Sequence, residues 1–210
     1  MSEPGKTNER WWTTLLFRRT AYLNQREGQA ITVLALVIGV LTGLAVVAFI
    51  LVTERLGMRL YPVGSSAWRR VLIPVLGSLA AGYLLARHFP RARGSGVPQT
   101  KAALFARDGV ITARTTVGKF LCTSLTLASG IPLGREGPSV QVGGGIASIL
   151  GRHLGLNSDQ VKKLIPAGAA AAIAAAFNTP LAAVMFSLEE IVGDLHSSVM
   201  GAAVLASAAS

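Results

Sequence analysis

The sequence is short of charge: 14% of its 210 residues are Asp, Glu, Lys or Arg, where an average soluble domain carries about a quarter. A chain that is 51% hydrophobic and so poor in charge fits lipid better than water. Cysteine occurs once, at Cys122, which excludes an intrachain disulfide and any multi-cysteine metal site. A small buried hydrophobe is its expected role. Aspartate and histidine are equally sparse, three of each. Asp108, Asp159 and Asp194 are scattered, as are His88, His153 and His196, so no metal-ligand spacing and no nucleophile–base grouping emerges. The composition therefore argues against a membrane enzyme, and no metal or cofactor is expected.

The net charge of +10 would point to nucleic acid in a soluble protein. Here the basic residues fall at junctions between apolar segments, where Lys and Arg set topology and meet anionic lipid, so no nucleic-acid partner is expected. Three apolar stretches stand out: Ala30–Thr53, Val71–Ala86 and Leu164–Leu188. Roughly 20 residues cross a bilayer as a helix, so the first and last are long enough to span.

Residues 1–29 are polar, with Glu3, Glu9 and Glu27 beside the basic residues, unlike a signal peptide. They read as a retained cytoplasmic segment whose WWTTLLF core, Trp11–Phe17, suits a helix at the headgroup boundary; a solvated tail is the alternative. Arg87, Arg91 and Arg93 favour the same side as the N-terminus, against Arg55, Arg59, Arg69 and Arg70 on the other. A long helix is expected from Ala30 to about Leu60, then a loop Tyr61–Trp68. A second helix is expected from about Arg69 to Phe89, with Pro74 in its first turns.

From Pro90 onward the pattern changes to short helical pieces between breakers: GSGVP (94–98), RDG (107–109), SGIPLGREGP (129–138), LGLNSD (154–159) and FNTP (177–180). In lipid, irregular backbone is tolerated only inside protein or beside a watery cavity. Repeated breaks thus point to a buried site for something polar. The small residues Gly143–Gly145 and Ala167–Ala176 are read as close helix packing.

GSGVP and GREGP share one plan, glycines that free the backbone and a proline near the first turn of the following helix. A helix start presents unpaired N–H groups and about half a positive charge, so two of them aimed at one cavity make an anion site needing no full cation. Ser95 offers a hydroxyl at one start and Glu136 a carboxylate at the other. Ionised, Glu136 would occupy the site; protonated, it would admit a free anion. Simple pairing with Arg135 is the competing explanation. Glu189 and Glu190 close the last apolar run, either as a water-facing pair or with one turned inward to take protons. Lys101 is an exposed helical cation or one that concentrates anions near the pore. The VGK at Val117–Lys119 fails as a phosphate loop, because Ala113 and Phe120 stand where that motif needs Gly and Ser or Thr.

On GSGVP (94–98), GREGPSVQ (134–141) and AFNTPLAAVMFSLEE (176–190), taken in order, the sequence resembles the CLC family of chloride channels and chloride/proton antiporters. The resemblance implies an all-α integral membrane fold of broken, tilted helices with inverted repeats. Residues 30–210 would form the first half of the transmembrane domain, with the second half, its further chloride-binding backbone and its inner-gate tyrosine absent. It implies that Ser95 helps hold a central chloride and favours chloride over nitrate, that Glu136 is the external gating glutamate, and that Glu190 passes protons on the inner side. The candidate chloride-binding set is then Ser95, Gly96, Val97, Arg135, Glu136 and Gly137. Gln99 and Lys101 depart from bacterial members that are acidic there. The implied activity is secondary antiport of chloride against protons in a multi-pass protein of the bacterial inner membrane, N-terminus cytoplasmic, working as a homodimer. A gated chloride channel and a non-transporting truncated subunit are the alternatives.

Overall fold

With few polar side chains to help, the backbone has to pair its own N–H and C=O groups, and within lipid a helix does so locally. The computed structural model describes residues 10–62, 66–194 and 199–210, with side chains from Ala30 onward. Among the described residues all regular structure is helical. In order these are α1 (Arg10–Leu60), α2 (Ala67–Arg87), a 3-10 turn (Pro90–Ala92), α3 (Val97–Ala106), α4 (Ala113–Ala128), α5 (Glu136–His153), α6 (Ser158–Phe177), α7 (Pro180–Phe186), a π-helical turn (Ser187–Val192) and α8 (Met200–Ala209).

The Ala30–Leu60 part of α1 and the whole of α2 are long and apolar enough to cross a membrane. Both expose large apolar side chains, Val33, Val40 and Leu44 on α1 and Leu72, Leu76 and Leu79 on α2, as lipid contact requires. The backbone continues as helix from Arg10 into this span. Residues 1–9 and the side chains of the expected interfacial segment, Trp11–Phe17 included, lie outside the described residues, as does His196.

Helix α6 is the centre of the bundle. Leu164–Ala172 are all buried, and α1, α5, α7 and α8 pack around them. Where α5 crosses α6, a Cβ on Gly143 would overlap the Gly168 carbonyl, and one on Gly168 would overlap the Gly143 carbonyl. Only glycine lets these backbones meet, which is how helices gain close contact without a hydrophobic drive between them. Small cap bonds fix the joints. Asn157 Oδ1 accepts from Gln160 N–H at 2.8 Å at the start of α6. Thr112 Oγ1 accepts from Thr115 N–H at 3.3 Å at the start of α4.

Two expectations from the sequence are corrected. Leu164–Leu188 does not span as one helix: Asn178, in the left-handed region at φ 55°, ends α6, and α7 begins afresh at Pro180. Summed hydropathy cannot see that turn, although FNTP marks it. Pro74 is not in the first turns of α2 but eight residues in, because the helix begins at Ala67 and takes Arg69 and Arg70 into its first turns. Its ring removes one i→i−4 bond there; one turn on, Ser78 Oγ donates to the Pro74 carbonyl at 2.6 Å.

Candidate anion site

The breaks before α3 and α5 bring two helix starts into backbone contact. Gly94 and Gly96 sit at φ 93° and 125°, conformations that side-chain-bearing residues rarely adopt. They turn the chain so that α3 begins at Val97 with Pro98 near its start. Helix α5 begins at Glu136 with Pro138 in its first turn and Arg135 at its N-cap. A Cβ on Gly96 would overlap the Gly137 carbonyl, and one on Gly137 would overlap the Ser95 carbonyl. The positive ends of two helices thus meet with no side chain between them.

Beside this joint lies a cavity of about 340 Å³, whose lining includes Ser95, Glu136, Gly137, Lys119, Thr123 and Thr126. Neither proline supplies an N–H, so the donors left to a ligand come from few positions. On α3 the Gly96 N–H is already given to Gln99 Oε1 at 2.8 Å. On α5 the Arg135 carbonyl accepts from both Ser139 N–H at 3.1 Å and Ser139 Oγ at 2.7 Å, which fixes the first turn. No ion pair joins Glu136 to Arg135. The two ion pairs among the described residues lie elsewhere, at Lys101–Glu190 and Lys162–Asp108.

Glu190 is on the π-helical turn, outside the lining of this cavity. Its Oε2 lies 3.6 Å from Lys101 Nζ on α3, with the side chains 53% and 42% exposed. The turn itself is held to the bundle by Ser187, whose buried hydroxyl donates to the Pro166 carbonyl of α6 at 2.7 Å. One short helix therefore carries Ser95 and Gly96 at its head and, one to two turns on, the cation that meets Glu190.

A scan against family models matches the voltage gated chloride channel family over residues 77–210, more than half the chain. The chain belongs to the voltage gated chloride channel family. Among solved structures, a slow cyanobacterial Cl⁻/H⁺ antiporter is similar at 26% identity and TM-score 0.74, over 85% of this chain and 44% of that one. A CLC-type fluoride/proton antiporter is similar at 28% identity and TM-score 0.67, over 86% of this chain and 46% of that one. A eukaryotic CLC transporter shares the fold at 22% identity and TM-score 0.72, over 85% of this chain and 36% of that one. The chain spans less than half the length of each, so its helices match part of the fold, in line with one repeat of an inverted pair. With two helices able to span, this chloride channel family member is an integral membrane protein.

Within the family chain, the expected chloride-binding residues do not all face the cavity. Ser95, Glu136 and Gly137 line it. Gly96 is buried at the contact beneath them, and Val97 turns its side chain against the core around Leu104 and Ile173, leaving only its backbone to the site. Arg135 is exposed and outside the lining. Three residues that the motifs passed over matter here. Gln99 caps the head of α3, Lys101 partners Glu190, and Lys119, from the rejected VGK, is buried in the cavity wall. A lysine alone in the apolar run of α4 was the available signal for the last.

Proposed function

We propose that the full-length protein exchanges chloride for protons across a membrane, through a site formed where α3 and α5 begin. The observation that carries this reading is the backbone contact of Gly96 with Gly137 beside a cavity lined by Ser95 and Glu136. Two helix starts give an anion partial positive charge and directed donors. Glu136 is at the head of α5 and has no ionic partner among the described residues, which supports the reading that it competes with that anion as carboxylate and leaves it room when protonated. Glu190 supports exchange over a channel, since the resemblance gives it the role of an inner proton acceptor, and in the fold it pairs with Lys101 of α3.

The resemblance supports a homodimer with a cytoplasmic N-terminus in a bacterial inner membrane. The likeness to solved Cl⁻/H⁺ and fluoride/proton antiporters supports a small halide as substrate, and Ser95 favours chloride. Full-length protein in liposomes under a chloride gradient is expected to drive protons uphill. Chloride flux with no uphill proton movement would replace the exchanger with a gated channel. Uphill protons driven by fluoride and not by chloride would move the substrate to fluoride.

A further inference from the structure

Lys119 is the one charged residue in the buried set among the described residues, at 4% exposure. Its ammonium donates to the Ala92 carbonyl at 3.3 Å and to the Gly94 carbonyl, and no carboxylate of the described residues lies within 4.0 Å. Two of its three N–H donors are thereby used, while its charge is left unbalanced. Carbonyl oxygens satisfy donors but do not cancel a full charge taken out of water, and an anion beside the ammonium would balance it. The space next to Lys119 is the cavity that also holds Ser95 and Glu136.

We propose that Lys119 is a positioning residue of the anion site, the fixed cation that the anion in the cavity balances and the clamp that sets the Gly94 turn so that Ser95 lines that cavity. The inference rests on the transport reading and adds to it. Helix ends alone supply partial charge, and this site has a whole one beside them. Its two functions are joined by geometry. Gly94, whose carbonyl Lys119 holds, is the residue before Ser95, and Gly96 beyond it is seated on Gly137. Charge and loop are therefore fixed by the same side chain. When no free anion is in the cavity, the carboxylate of Glu136 is the remaining group of the right sign along its wall.

The test is titration calorimetry of the purified full-length protein with potassium chloride, for the native chain, Lys119→Gln and Lys119→Arg. Gln keeps a donor for the two carbonyls and fits the space, but removes the charge; Arg keeps the charge in a bulkier head. The fixed-cation role gives a chloride Kd weakened about tenfold or more in Lys119→Gln, with Lys119→Arg binding more tightly than Lys119→Gln. A merely structural lysine gives the reverse order. Native affinity in Lys119→Gln, or Gln binding better than Arg, overturns the proposal. Should Lys119→Gln not yield monodisperse protein, Lys119→Gln with Glu136→Gln removes both charges of the cavity and is expected to restore it; failure to do so overturns the charge balance. A native protein that binds no chloride overturns the transport reading and this inference with it, whereas native binding with an indifferent Lys119 overturns this inference alone.

Discussion

The two glutamates of the candidate pathway are both exposed, yet the charges around them are arranged in opposite ways. Around Glu136 the charges are single: a carboxylate at a helix start and a buried ammonium along one cavity wall, neither in an ion pair among the described residues. Around Glu190 they are matched, carboxylate to Lys101 at 3.6 Å, and both side chains are about half exposed. Unmatched charge beside a cavity is what the proposed reading requires of a place that a mobile ion completes. Matched charge in partial contact with water creates a place where a proton can wait with little effect on folding, because an exposed pair is worth at most about 1 kcal/mol.

That contrast breaks most completely at Glu136→Ala. Uphill proton movement in liposomes is expected to vanish while chloride still flows; retained coupling would take the gating role away from Glu136. Next in size is Gly96→Ala, which places a methyl group on the Gly137 carbonyl in a backbone at φ 125°. Left-handed strain and overlap together are expected to cost about 2–5 kcal/mol, read as a fall in melting temperature with loss of chloride binding. An unchanged melting temperature would show that the two helix starts are not in contact.

A smaller effect is expected for Lys101→Met. Since the exposed pair contributes at most about 1 kcal/mol, proton transport should fall by no more than about fivefold at unchanged chloride affinity. Loss of chloride binding in that variant would mean that α3 transmits the change from Glu190 to Ser95, and the contrast between the two ends would fail. Smallest of all is Asp108→Asn at the 3.1 Å pair with Lys162, where Asp108 is 78% exposed. Melting should shift by less than about 1 kcal/mol in stability terms, and flux should not change.

Much of the architecture could be read from backbone-specific residues. GSGVP, GREGP and FNTP mark where α3, α5 and α7 begin, because Gly and Pro constrain φ and remove N–H groups whatever surrounds them. What could not be read depends on distance in sequence. The cation beside Ser95 comes from Lys119, whose carbonyl partners are 25 and 27 residues earlier, and no local pattern records that meeting. Likewise Gln99 and Lys101 looked like departures from bacterial relatives. In the fold one accepts the Gly96 N–H and the other meets Glu190. Arg135, inside GREGP, lies outside the cavity lining, which the motif alone does not record. Pro74 lies deeper in α2 than expected because the helix begins at Ala67, two residues before Arg69.

The seat of Gly96 on Gly137 also limits how such a site can diverge. Neither position has room for a single additional carbon, so the joint is closed to gradual change by substitution. On the proposed reading, a substitution that alters anion preference would fall on the residues alongside, Ser95, Lys119 and Glu136, and not on the joint. The part of the site with no side chains thereby has the least room to change, and the parts with side chains are where its chemistry can be altered.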